Sequence, residues 1–528
     1  GLMSSTLIGC SNTSSDAGKS LDKENARKAN NELIAAVTSE PETGFDATDT
    51  GHGDMTSVFF STLFKRNKNL GIENDLAKSY EISEDRLTWT VKIREDVKFT
   101  DGENLTAEDV VYTYEIAKNS GSSIDLTMLD SVSKVDDYTV EFKLKNPQST
   151  FIEKLATVGI VPKHAHNEGF SDNPIGSGPY KLVQWDKGQQ VIAEANENYY
   201  GEKPSIKKLT MVFMDDDTAY AAVKAGEVDI ASIPGSFAKE EVEGKKLIEL
   251  DSIETYGVAY PMEKPGKTTA DGYPIGNAVT SDETIRKALT YAIDREELVE
   301  GILEGYGAPS STGLEKMPWL NEETIIKPEE DGKIDEAKKM LEEAGWKDTN
   351  NNGTIDKDGV EAEFDLLYTD GKYRQELGLA YVEVAKKLGI KVNLENRNWD
   401  TIVPEINSQA VLYGFGSGDP SEIYNLYSSK TFGVGVPWNN SGYYQNDKVD
   451  EYIDKALQSE DEDAALDYWK KAQWDGETGF SHMGDCAYTW FVNAGHLYLA
   501  DEDLDIGTPV VQPHGGKVLY NITEWSWK

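Results

Sequence analysis

Apolar residues recur along this chain with two periods, and the changes between them outline its elements. At every second position they run through Leu87, Trp89, Val91 and Ile93, and again through Val140, Phe142 and Leu144 after the Asp136-Asp137 turn. That alternation puts one face of each segment against a core and predicts half-buried strands. Leu33 to Val37 is a short unbroken apolar run ending at Glu40-Pro41, which predicts a buried strand. Thr106 and Asp109 make a capping-box-like pair ahead of Val110, Val111, Tyr114 and Ala117, so a helix begins there. Residues 58 to 172 therefore read as an α+β segment of their own.

Further along, Val191 to Ala193 and Leu209 to Phe213 read as strands. A helix through Ala219, Ala222 and Val223 stops at Gly226, and Glu227 to Ile230 re-enters a strand, a β-α-β unit that implies parallel strands. The clearest helix is Glu283 to Ile293, with Ile285, Ala288, Leu289, Ala292 and Ile293 on one face. Asp294 and Glu297 cap a second helix through Leu298 and Ile302. Leu377, Tyr381, Val384 and Leu388 form another helical stripe, followed by a strand at Ile390, Val392 and Leu394. Ala410 to Phe415 reads as a strand entering Gly416-Ser417-Gly418-Asp419-Pro420. No repeat period is present, which excludes solenoids and propellers. The pattern is that of a large α/β protein of two lobes.

Size agrees, because 528 residues exceed what one core supports. The formal charge of −42, from 52 basic and 94 acidic residues, repels nucleic acid and excludes it as a partner. Two cysteines cannot make a disulfide framework. Leu7-Ile8-Gly9-Cys10 has the shape of a lipobox, with Cys10 the residue to be lipidated, behind a remnant of an apolar signal segment. Ser11 to Asn31 is polar without apolar periodicity and reads as a flexible tether. Cys486 lies in an aromatic run and reads as a buried thiol. No stretch reaches the ~18 to 20 apolar residues of a membrane span, so the expected anchor is lipid alone.

Two widely separated stretches carry a family pattern. The first, Asp75 to Tyr112, holds Leu76-Ala77, Leu87 to Ile93, Val97-Lys98-Phe99, Asp101-Gly102 and Leu105-Thr106-Ala107-Glu108-Asp109-Val110. The second, Asn173 to Pro204, holds Pro174-Ile175-Gly176-Ser177-Gly178-Pro179-Tyr180, Trp185, Asn196, Tyr199-Tyr200-Gly201 and Lys203-Pro204. A third lies at Ile285 to Leu289, Ala292 to Arg295 and Gly305-Tyr306-Gly307. Together they resemble the extracytoplasmic solute-binding proteins of peptide and nickel ABC importers, family 5. The resemblance implies a two-lobed, hinged, periplasmic-binding-protein-like fold of type II with an inserted subdomain. The implied division is lobe I at 32–57, 173–262 and 497–528, the inserted subdomain at 58–172 and lobe II at 263–496, after a leader and tether at 1–31. It also implies a monomeric, non-enzymatic peptide trap outside the bacterial cytoplasmic membrane, which delivers its ligand to a permease served by a separate ATPase. A nickel-chelate binder of the same fold is the nearest alternative; a surface hydrolase or a structural adhesin would be of another class.

The family places a ligand-anchoring Asp-Pro in a Gly-rich loop after a strand, which marks Asp419, with Gly418 beside it. A buried peptide ammonium needs such a carboxylate, although Asp and Pro after glycines also make ordinary turns. Tyr413 and Phe415 could line the cleft or simply fill the core, and Trp399 and Trp438 could form an aromatic wall. Arg374 or Arg397 would meet the carboxylate end; the sequence leaves that choice open. The polar loop Thr43 to Asp54 faces the cleft in the family. Asp348, Asn350, Asn352 and Asp356 follow the first nine places of a calcium loop, with Gly353 at the turn but Gly359 at the twelfth place. A structural Ca2+ there competes with an Asx-rich turn, and no cofactor is required otherwise. His164 and His166 read as structural, while His482, His496 or His514 could ligate a nickel chelate. No H-E-x-x-H, C-x-x-C or phosphate-loop motif occurs.

Overall fold

Two mixed sheets and a smaller antiparallel one organise the computed structural model, which describes residues 12–49, 55–120 and 124–528, with side chains from 18 onward. The first sheet has the order Lys245–Leu250, His496–Asp501, Ile230–Ile233, Glu32–Ala36, Lys208–Val212, Gln190–Ala195 and Tyr180–Asp186. Glu32–Ala36 runs parallel to both Lys208–Val212 and Ile230–Ile233, and sits between them. The expected β-α-β unit is present through helix Asp216–Lys224, but its two strands do not touch.

The second sheet has the order Gly307–Pro309, Tyr488–Ala494, Thr255–Ala259, Ala410–Phe415, Glu363–Tyr368 and Lys391–Asn396. Ala410–Phe415 and Tyr488–Ala494 are buried at every position, because both faces of the sheet are covered. Alternate residues serve different cores. Ala410 and Leu412 pack with Leu289, Leu377 and Tyr381 of one helical layer, while Val411, Tyr413 and Phe415 pack with Ile402, Ile423 and Trp469 on the other side. The third sheet, Ala77–Ile82, Thr88–Ile93, Thr139–Leu144 and Leu129–Asp136, lies within residues 58 to 172 and packs against helix Ala107–Asn119, which starts at the Thr106–Asp109 capping box.

Two expectations need correction. The expected first lobe takes in all of residues 173–262, yet Thr255–Ala259 pairs with Ala410–Phe415 and Tyr488–Ala494 in the second sheet. The chain therefore crosses between the sheets at 251–254 and returns at Gly495, where Ala494 ends one strand and His496 begins the next. No breaker marks the first crossing, so composition cannot place it. The expected tether is largely a helix, Asn12–Ala29. Arg27 donates to both oxygens of Asp229 at 3.0 and 2.9 Å and to Gly226 O at 2.7 Å, Lys28 pairs with Asp501 at 2.9 Å, and Lys245 pairs with Glu24 at 3.1 Å. Ion pairs at i, i+3 and i+4 hold this helix to the first sheet, so a search for apolar periodicity misses it. Cys10 lies outside the described residues. Among the described residues no helix is long and apolar enough to cross a membrane.

Candidate ligand-binding site

A cavity of about 2250 Å3 opens where the first sheet's loops, the 58–172 segment and the second sheet's loops meet. Strand Ala410–Phe415 delivers the Gly-rich loop to it. Gly416, with φ of 155°, passes so close to the chain that a Cβ would stand 2.4 Å from Ile253 O, so only glycine fits. Gly418 and Asp419 follow and line the cavity, Gly418 packing against the Arg66 guanidinium.

Asp419 does two things at once. Its Oδ1 accepts the Ser421 N–H at 2.8 Å, the turn role foreseen for it, and its Oδ2 lies 3.8 Å from Lys154 Nζ. Around it stand groups the sequence did not mark. Arg66 is paired with Glu153 and donates to Leu70 O at 3.0 Å. Burial pushes the Glu422 carboxyl up to about 7, even though His514 and the Gly416 and Ser417 amides favour its charged form. Burial and the nearby Asp419 charge likewise push Glu462 up to about 7, against the pull of Arg66. Glu422 stands one turn beyond Asp419, a spacing that could have flagged it; Arg66, Lys154 and Glu462 come from distant segments and left no local signal.

The aromatic candidates converge. Trp399 stacks on Tyr413 at 6.0 Å and meets Trp438 at 5.5 Å, and Tyr413 meets Phe415 at 5.1 Å. All four line the cavity, yet Tyr413 and Phe415 are only 3% and 9% exposed, so each serves the core as well. Burial pushes the Tyr413 hydroxyl pKa up, and it donates to Ser441 Oγ at 3.0 Å as a neutral group.

Of the two arginines, Arg374 lines the cavity. Its guanidinium lies 6.0 Å from the Tyr256 ring centre, and its Nη1 is buried with no hydrogen-bond acceptor among the described residues. Arg397 is the correction: it is bound to Glu395 and Glu405 and is not among the cavity residues. Of the Thr43 to Asp54 loop, Thr43, Gly44, Phe45 and Asp49 line the cavity, and residues 50–54 lie outside the described residues.

At the two crossings between the sheets, Glu254 accepts from His514 Nδ1 at 2.8 Å, is bound to His496 Nε2, and receives the Tyr256 hydroxyl at 3.4 Å. Burial pushes the Glu254 pKa up, but hydrogen bonds and charge from His496 and His514 more than reverse this and hold it well below the usual carboxylate range. His482 is elsewhere, against Tyr291 and Thr324 O, and burial pushes it down to about 4. His164 binds Asp101, and His166 binds Asp46 and Tyr112. Among the described residues no three His, Cys, Asp or Glu side chains are grouped to hold a metal ion. Cys486 is fully buried beside Thr290.

In the calcium-like loop, Asp348 accepts the amides of Asn352 and Gly353 at 3.1 and 2.8 Å, and Asp356 accepts Thr349 N–H and Oγ1. Asn350 and Asn352 both donate to Glu361. The loop's own hydrogen bonds close it. Asp348→Ala is therefore expected to cost about 1 kcal/mol, which lowers Tm by roughly 1 to 2 °C in a chain of this size, and by the same amount with calcium or with a chelator; a calcium-dependent difference would show that the ion carries the loop.

Comparison with known proteins then gives the family. A model of bacterial extracellular solute-binding proteins, family 5 (middle region), matches residues 71–435. The chain is 34% identical over 488 residues to Protein XP55 of Streptomyces lividans, covering 89% of this chain and 85% of that protein. It is 29% identical over 548 residues to the oligopeptide-binding protein AppA of Bacillus subtilis, covering 99% and 95%. The structure of AppA with a nonapeptide superposes with a TM-score of 0.76 at 26% identity, over 94% of this chain and 99% of that one. NikZ of Campylobacter jejuni, solved with Ni(L-His), superposes with a TM-score of 0.81 at 25% identity, over 94% and 99%.

Proposed function

Because this chain belongs to the bacterial extracellular solute-binding proteins of family 5, we propose that it captures peptides in its cleft and hands them to the permease of an ABC importer. The observation that carries this reading is the cavity itself. At about 2250 Å3 it exceeds the roughly 300 to 1,000 Å3 of ordinary small-molecule pockets, and both a carboxylate, Asp419, and a cation, Arg374, line it. A peptide in its zwitterionic form offers the two complementary ends. Its ammonium, once desolvated, needs Asp419, and its carboxylate answers the Arg374 guanidinium in the cavity. Trp399 and Trp438 supply flat apolar surface that tolerates many side chains at small entropic cost. Capture needs no bond to be made or broken in the ligand; binding shifts the balance toward a closed form only by contacts made there.

The nickel-chelate reading is favoured by the likeness to NikZ. Against it, His496 and His514 are both committed to Glu254. The Leu7-Ile8-Gly9-Cys10 pattern supports a lipid anchor on the outer face of the cytoplasmic membrane. Mass spectrometry of what the denatured protein releases, with calorimetry against peptides and against nickel plus histidine, tests the main reading. Peptides recovered intact and binding saturably support it; heat only with the metal and histidine would replace it by the alternative, and peptides returned cleaved would make the protein a hydrolase.

A further inference from the structure

Three consecutive residues, Lys372-Tyr373-Arg374, stand between the two sheets and face different partners. Arg374 opens helix Arg374–Lys387, which joins strands Glu363–Tyr368 and Lys391–Asn396 of the second sheet, and it lines the cavity. Tyr373 reaches the other way. Its hydroxyl, buried, accepts the Gly235 N–H at 2.9 Å, and Gly235 stands two residues after strand Ile230–Ile233 of the first sheet. Lys372 adds an ion pair of 2.8 Å to Asp216, at the start of the helix joining two first-sheet strands.

The backbone of Tyr373 is left-handed, with φ of 68°. A bulky side chain holds that conformation only where its surroundings over-determine it. The surroundings here are the Gly235 contact and the Tyr256 ring, 6.4 Å away. Gly235 is as constrained on its own side: a Cβ there would stand 2.7 Å from Leu303 O, which ends a helix packed on the second sheet. The two bodies thus meet through a glycine that admits close approach and a tyrosine that receives it. Next to that meeting point, Gly371 leaves room for the Arg374 side chain, whose Nε lies 2.8 Å from where a Cβ would be.

We propose that Tyr373 is a positioning residue for Arg374: Gly235, arriving with the first sheet, fixes Tyr373, and the fixed Tyr373 holds the guanidinium where it can receive a ligand carboxylate. This rests on the peptide reading above. Its consequence is that the carboxylate end is recognised in the closed form and not in the open one, so a ligand with a free carboxylate draws the lobes together more strongly than its amide.

The test uses the full chain and one peptide in two forms, free acid and C-terminal amide. Calorimetry gives the ratio of their affinities, which reports the carboxylate contact and not closure in general. In Tyr373→Phe this ratio is expected to shrink roughly three- to ten-fold, the loss of one buried hydrogen bond. Gly235→Ala, which alters neither the Tyr373 nor the Arg374 side chain but crowds Leu303 O, is expected to shrink it likewise and to leave the ligand-saturated protein more expanded in X-ray scattering. A variant that weakens acid and amide equally has only loosened the fold or the closure, and would overturn the proposal; so would an unchanged ratio in both. If the unaltered protein bound neither form, the peptide reading would fall first, and the role of Tyr373 with it.

Discussion

Asp419→Ala should weaken peptide binding by at least about thirty-fold, because truncating one member of a desolvated charge pair costs roughly 2 to 5 kcal/mol. The loss is this large because Asp419 is the carboxylate 3.8 Å from Lys154, while the nearby Arg66 is already held by Glu153. Without it, an incoming ammonium meets Lys154 in place of a carboxylate. N-acetylated peptides, which bring no ammonium, should lose much less. Calorimetry on both forms checks this. Equal losses would show that Asp419 acts only through its cap on Ser421.

The second large effect falls on stability. Glu254→Gln should cost about 3 to 5 kcal/mol, the usual penalty for removing one member of a buried ionic cluster. The side chain is 9% exposed and holds His496 and His514 where the chain crosses between sheets. The pH dependence follows from the direction of its shift. Its native pKa lies well below 4.5, so below the unfolded pKa the unfolded chain binds the proton that the native chain refuses. The stabilisation is complete above about pH 4.5 and is lost as pH falls toward the depressed native value. Urea unfolding of the native sequence and the variant should show a gap at mildly acidic pH that narrows as the pH falls below about 4.5. A gap that widened in acid would mean the carboxyl is neutral in the folded protein.

What the sequence made legible was local. Strand Thr88–Ile93, the capped helix Ala107–Asn119 and helix Glu283–Ala292 announce themselves because one face of each is apolar at the right period. The Gly-rich loop at 416–420 stands out only through the family pattern, and its Gly416 is required by a contact to Ile253 that no local rule foresees. Illegible were partnerships between distant charges. Helix Asn12–Ala29 reads as a tether because its attachments, Asp229 and Asp501, lie 202 and 473 residues from Arg27 and Lys28. Arg374 and Arg397 look alike in sequence; only the fold gives Arg397 its two glutamates and leaves Arg374 in the cavity. Glu254, His496 and His514 form one cluster from three segments, with nothing in any single segment to connect them.

The order of strands also constrains how the chain reaches its native state. Glu32–Ala36 finds its neighbours only after Lys208–Val212 and Ile230–Ile233 have been made. His496–Asp501 bridges Ile230–Ile233 to Lys245–Leu250, and Tyr488–Ala494 bridges Thr255–Ala259 to Gly307–Pro309. Both sheets thus stay unfinished until some fourteen residues near position 490 have left the ribosome. Such late, long-range pairing makes folding slow, and it keeps the growing chain from locking before its last strands arrive.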